Sequence, residues 1–215
     1  MKNEYIQSVS MSGIFKYIDD ESRIRIYDEL KMASHKYSDG EIIYHQGANV
    51  NRVAIVHSGL VKGERIHDEG TSHLAYLYGQ GDLFAFEGAF SSKHTSPLQL
   101  TAQGDTTVVF FDIRNIFESS FGSQLTRGIM ELLANDDIKK LYRIEILSRR
   151  SIRGRIMAYF QFMASRNGST SFKLNMSREQ LAQYLCVNRS ALSNEMSIMK
   201  REGIIEFKGK EYRIS

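Results

Sequence analysis

Cysteine and proline are nearly absent from this 215-residue chain, which holds one of each, Cys186 and Pro97. A single cysteine excludes an internal disulfide and any four-cysteine metal cluster within one chain. It suits a reducing compartment. Long apolar runs are missing too. No stretch approaches the ~18 uncharged apolar residues of a membrane span, so no membrane partner is expected. The opening Met1-Lys2-Asn3-Glu4-Tyr5 leads into no signal-peptide core, and the chain is read as cytoplasmic. No low-complexity segment or long repeat is present. The 42% hydrophobic and 25% charged residues match ordinary globular usage. The length suits one large domain or two small ones.

Charge is divided unevenly along the chain. Residues 1–148 hold 15 Lys+Arg against 20 Asp+Glu, a net of −5. Residues 149–215 hold 13 against 5, a net of +8. A basic segment of this size suggests a nucleic-acid-facing module joined to a module of another kind. Two domains are therefore expected, 1–148 and 149–215.

Residues from about Gly40 to Asp112 read as strands. Val53-Ala54-Ile55-Val56 is short and β-branched. His57-Ser58-Gly59 is read as a break, after which Leu60-Val61-Lys62-Gly63-Glu64 resumes. His73 to Tyr78 is apolar and aromatic and is followed by a Gly79-Gln80-Gly81-Asp82 turn. Thr106 to Phe111 follows Gly104-Asp105. Short strands with glycine turns at this spacing indicate an antiparallel barrel or roll. Residues 91–97, with Pro97, read as a loop.

From Ile113 the pattern turns helical. Leu125, Ile129, Leu132 and Leu133, then Ile138, Leu141, Ile144 and Leu147, recur at three- and four-residue steps. Asn135-Asp136-Asp137 interrupts the stripe. A helix over about 123–148 would be about 39 Å long and needs something to cover its face.

The strongest local signal runs from Ser177 to Gly203. Ser177-Arg178-Glu179-Gln180 has the capping-box form. Leu181, Ala182 and Leu185 mark one short helical face, and Cys186-Val187-Asn188 interrupts it. Asn188 is a good N-cap for a second helix from Arg189, with Leu192, Met196 and Met199 inward and Gly203 as the stop. Two short helices and a tight turn match the helix-turn-helix plan. Residues 204–214, with Lys208-Gly209-Lys210 between two short apolar runs, read as a two-stranded wing.

The outward face of the second helix carries Arg189, Ser190, Ser193 and Asn194, with Ser197 beyond. Arg suits guanine O6/N7, Asn suits adenine N6/N7, and hydroxyls suit bases or phosphates. Ser177, Arg178 and Asn188 at the helix starts, and Lys208 and Lys210 on the wing, are candidate phosphate contacts. Double-stranded DNA is the expected partner, and two-fold pairing through the long helix fits a motif of this kind.

With these residues in view, the sequence resembles the Crp/Fnr family of bacterial transcription regulators over nearly its whole length. Gly40-Glu41-Ile42-Ile43, Gly47, Val53 to Gly59 and Gly81-Asp82-Leu83-Phe84 resemble a cyclic-nucleotide-binding-type β-roll. Ile152-Arg153-Gly154-Arg155-Ile156 resembles the start of the family's winged-helix domain, and Arg178 to Ile205 its helix-turn-helix. The fold implied is α+β: an antiparallel, cupin-like β-roll, a long dimerisation helix and a C-terminal winged helix-turn-helix. The resemblance implies a homodimer on inverted-repeat DNA that acts on RNA polymerase when a small-molecule effector changes its geometry.

The chain departs from the family's cyclic-nucleotide pattern. Phe86 stands where a ribose-binding Glu is expected, although Glu87 is adjacent, and Ser96-Pro97 stands where an Arg-Ser pair meets the cyclic phosphate. Without the bidentate cation, regulatory binding of cyclic AMP is not expected. The iron–sulfur branch needs several cysteines in the effector domain, and the histidines show no haem-like spacing, so no cofactor or metal is expected. Tyr76, Tyr78, Phe86, Glu87, Leu98 and Leu100, with Leu141 and Tyr142 across from them, are candidate walls for an organic effector. They would equally fill the roll. Many family members carry Arg where this chain has Asn194, which points to a different base in the half-site.

Other classes are weighed against this one. A cupin-like metal enzyme would need ligands such as His57, His73 and Glu64 to converge. A DNA-binding protein without an effector, or a winged helix used for protein contacts, would keep the same fold. No catalytic triad, P-loop or dinucleotide fingerprint is present, so the chain is not read as an enzyme.

Overall fold

A computed structural model describes residues 2–215. The chain divides into two compact units, the first ending at Ala134 and the second running from Asn135 to Ser215. The division falls inside a long helix, ahead of the charge break at Ser148.

The first unit opens with α1 (Lys2–Met11), a 3-10 turn (Gly13–Phe15) and α2 (Ser22–Glu29). The strands are β1 (Ala33–Tyr37), β2 (Ile42–Tyr44), β3 (Arg52–Ile66), β4 (Ser72–Tyr78), β5 (Leu83–Phe84) and β6 (Gln99–Asp112). The short α3 (Phe86–Phe90) lies between β5 and β6, and α4 (Ile113–Glu118) follows β6. The sheet order is β1-β6-β3-β4, with β2 also on β6 and β5 also on β3. Every pairing is antiparallel.

Two sequence expectations change here. His57-Ser58-Gly59 does not end a strand, because β3 runs through it as one 15-residue element. The irregularity is absorbed as register shifts against β6 on either side of Ser58. Gly59 is left-handed there (φ +84), and a Cβ would lie 2.5 Å from the Thr106 hydroxyl. In the same way β6 starts at Gln99 and passes through Gly104-Asp105. Val53, Ala54, Ile55 and Val56 are all fully buried. Successive strand residues face opposite sides, so both faces of this stretch are covered.

Helix α5 (Gly122–Ser148) is continuous across Asn135-Asp136-Asp137. Asp136 sits one turn from Lys140 and pairs with it at 2.7 Å. Leu125 and Ile129 are buried in the first unit's core. Gly128 permits close approach to the 3-10 turn, since a Cβ would lie 2.4 Å from the Ile14 carbonyl oxygen. Another face of the helix is open: Met130, Leu133, Ile138, Leu141 and Ile144 are 40–65% exposed.

The second unit contains α6 (Ile152–Asn167), β7 (Ser171–Lys173), α7 (Arg178–Tyr184), α8 (Arg189–Arg201), β8 (Ile205–Lys208) and β9 (Glu211–Ile214). The strands form an antiparallel sheet in the order β7-β9-β8. Its core includes Leu181, Ala182, Leu185, Leu192, Met196 and Met199. Phe160 stands edge-on to Phe172 and Tyr212 at 5.3 and 5.2 Å. No helix of the described residues is long and apolar enough to cross a membrane.

Candidate nucleic-acid interface

The helix-turn-helix is built by local hydrogen bonds at each end of its helices. Ser177 Oγ accepts from Gln180 N at 3.1 Å, and Gln180 Oε1 accepts from Ser177 N at 2.8 Å. Helix α7 closes with Cys186 N donating to Gln183 O and Val187 N to Ala182 O. This is a Schellman closure with Cys186 at the left-handed position (φ 51), where glycine is usual. Asn188 Oδ1 then accepts from Ser190 N at 2.8 Å and Ala191 N at 3.3 Å, starting α8. Helix α8 ends in a second closure: Gly203 N donates to Lys200 O, and Ile204 N to Met199 O.

Arginines from the preceding helices hold this motif. The carbonyls at the end of α7 have no intrahelical partner and lie at the negative end of the helix dipole. Arg143 donates to Tyr184 O at 3.4 Å and lies 4.4 Å from the Tyr184 ring. Arg155 donates to Leu185 O at 3.1 Å and Cys186 O at 3.0 Å, and also to Arg149 O at 3.1 Å. Arg153 bridges α6 to α8 through Glu195 at 2.6 Å and Glu202 at 2.9 Å. The Glu195 hydrogen bond, then that of Glu202, raises the Arg153 pKa above its ordinary value. Glu195 therefore faces α6 and is spent on positioning the helix.

Of the side chains assigned to base reading, Arg189, Ser190 and Asn194 are exposed and Ser193 is half-buried, all on α8. Arg189 reaches Glu179 of α7 at 3.5 Å, with both side chains more than half exposed. Ser197 bonds back to Ser193 O at 2.8 Å. Among the phosphate candidates, Ser177 and Asn188 each use the side-chain oxygen as a cap. Lys208 and Lys210 flank Gly209 at the exposed wing tip, a two-residue hairpin turn. Arg178 is only half-buried, and its guanidinium lies over the Phe207 ring at 4.8 Å.

The effector candidates fall in different places. Tyr76 and Tyr78 stack at 5.4 Å. Tyr78, Leu98 and Leu100 converge on Gly63, within 3.1–3.4 Å of where a Cβ would sit. Phe86 is buried in the same core at the start of α3, beside the half-buried Glu87. Leu141 and Tyr142 lie on the part of α5 that belongs to the second unit, where Tyr142 is 4.9 Å from Phe162. Ser96 is buried, and its hydroxyl donates to Leu98 O at 2.6 Å. Glu64 pairs with Lys62 at 3.3 Å, His73 packs on His67 at 5.0 Å and His57 on Tyr5 at 4.8 Å. Among the described residues no three His, Cys, Asp or Glu side chains form a metal-holding group.

The roles of Arg143, Arg153, Arg155 and Phe207 were missed in the sequence. Their partners lie 6 to 49 positions away, most of them in another element, and no local spacing marks them.

Comparison with known proteins agrees with this architecture. Residues 34–119 match the model of the cyclic nucleotide-binding domain, and residues 154–215 that of the Crp-like helix-turn-helix domain. Electron transport regulator A of Shewanella oneidensis is 26% identical over 178 residues, 80% of this chain and 70% of that protein. The transcriptional activator protein anr of Pseudomonas aeruginosa is 25% identical over 193 residues, 87% of this chain and 78% of that protein. The solved structure of FixK2 from Bradyrhizobium japonicum has the same fold, with a TM-score of 0.68 at 20% identity, covering 85% of this chain and 92% of that one. With a cyclic-nucleotide-type roll, a long helix and a Crp-like winged helix in this order, the chain belongs to the Crp/Fnr family of DNA-binding transcription regulators.

Proposed function

We propose that the chain works as a homodimer paired along α5 and reads an inverted repeat with α8. Arg189, Ser190, Ser193 and Asn194 contact base edges, while Ser177, Arg178, Asn188, Lys208 and Lys210 contact phosphates. The domains at work are 1–148, sensing and pairing, and 149–215, reading. The observation that carries this reading is the polar outer face of α8, capped by Asn188 and braced by Arg153, within a segment of net charge +8. A small organic molecule in the roll, walled by Tyr76, Tyr78, Phe86, Glu87, Leu98 and Leu100, shifts the dimer and so changes its action on RNA polymerase. The chain acts in the cytoplasm and performs no catalysis.

Cyclic AMP is not that molecule. No Arg or Lys lies between Lys93 and Arg114, and the Ser96 hydroxyl is already bonded to Leu98 O. The testing experiment is selection of bound duplexes from a random pool, followed by titration against salt. With 6–10 phosphate contacts, affinity should fall ~10³–10⁵-fold between 50 and 200 mM salt. Binding that ignores salt would refute the reading, and micromolar cyclic AMP binding in calorimetry would refute the exclusion.

A further inference from the structure

The wing and the helix-turn-helix meet at one aromatic ring. Phe207 lies on β8. The Arg178 guanidinium carbon, from the first residue of α7, is 4.8 Å from its centroid. Lys200 Nζ, from the last turn of α8, is also 4.8 Å from it and donates to the Phe207 carbonyl at 3.3 Å. The Arg178 guanidinium carbon also lies 5.7 Å from the Tyr212 centroid, and its Nη1 meets Met196 Sδ. Neither cation pairs with a carboxylate among the described residues. Phe207 and Lys200 also line an open groove of about 560 Å³, which takes in Lys173, Lys208 and Arg213 as well as Glu206 and Glu211.

We propose that Phe207 is a positioning residue for phosphate binding, an aromatic platform that holds Arg178 and Lys200 ready for the DNA backbone. The inference rests on the DNA-binding reading above. A cation is drawn to the ring face by its quadrupole. A guanidinium held over a ring by its charge has five N–H donors, and those the ring and Met196 do not occupy stay available to an anion. Long cationic side chains lose rotamer freedom when they bind, and ordering them beforehand reduces that loss. One ring thereby sets the wing, the start of α7 and the end of α8 in a single register toward the duplex.

The test uses the full chain and a duplex selected by the wild-type protein, titrated from 50 to 200 mM salt. Phe207→Leu keeps apolar bulk and removes the ring, and should weaken binding about fivefold to thirtyfold. Its salt dependence should become shallower. Phe207→Tyr keeps the ring face and should bind like wild type. Phe207→Leu combined with Arg178→Ala and Lys200→Ala should be no weaker than Arg178→Ala with Lys200→Ala. Thermal unfolding reports whether Phe207→Leu folds. If it does not, Phe207→Met, which keeps apolar bulk of another shape and also lacks the ring, carries the test with the same expected loss. Unchanged binding by Phe207→Leu, or an effect of Phe207→Leu that adds in full to that of Arg178→Ala with Lys200→Ala, overturns the inference alone. A wild-type chain that captures no duplex overturns the DNA-binding reading and the inference with it.

Discussion

Arg189 and Asn194 stand five positions apart, about 1.4 helical turns, at exposed positions of α8, and in the proposed reading they meet different base pairs of a major groove. The Arg189–Glu179 pair at 3.5 Å is exposed, and pairs of that kind hold weakly enough to yield to a base. Arg189→Ala should weaken specific binding by ~1–3 kcal/mol. Asn194→Arg should change the preferred base instead, and selection with both proteins checks this: identical sites would sink the claim. Cys186 carries a different cost. Its left-handed backbone (φ 51) is strained for any residue with a Cβ. Cys186→Gly should raise stability by about 1 kcal/mol, read as a higher denaturant midpoint, because the strain outweighs glycine's greater unfolded-state freedom.

At the scale of elements, the molecule is joined by side chains that satisfy helix ends and loops. Arg143 and Arg155 do this for the last carbonyls of α7. In the first unit Glu29, at the end of α2, accepts from Ser119 Oγ at 2.6 Å and from Ser120 N at 2.9 Å, fixing the loop between α4 and α5. The Ser119 hydrogen bond, with smaller help from Ser120, holds the Glu29 carboxyl below its ordinary value of 4.5 despite partial burial. A depressed folded-state pKa stabilises fully above the unfolded value and is lost as pH falls through the folded one. Glu29→Gln should therefore lower the melting temperature at pH 7 and differ little from wild type near pH 3. An equal difference at both pH values would count against this account.

For the whole molecule, the open stripe of α5 is the feature that needs a partner. Met130, Leu133, Ile138, Leu141 and Ile144 recur at helical spacing and remain 40–65% exposed, more apolar surface than one helix face ordinarily leaves in water. Pairing two copies through it would place two +8 segments on two half-sites, a joint charge of +16. Leu141→Asp with Ile144→Asp should convert a dimer to a monomer in sedimentation and abolish binding to the inverted repeat, while the isolated fold of each unit is kept. A variant that still sediments as a dimer would place the interface elsewhere.

What the sequence determined by itself lies within a few residues of its cause. The Ser177–Gln180 box, the Asn188 cap, the Gly203 stop and the α5 stripe depend on spacings of two to four positions, so they are legible in order along the chain. The winged helix followed from them. Tertiary structure decided what depends on the path of the chain. It joined Arg178 to Phe207, Arg155 to the end of α7 and Glu29 to Ser119, 90 positions away. It turned the apparent break at Gly59 into a bulge in β3, because β6 supplies partners on both sides of it. It also divided the α5 stripe, burying Leu125 and Ile129 and leaving Leu141 and Ile144 in water. Periodicity marks apolar positions, but only the packed neighbours determine which of them is covered.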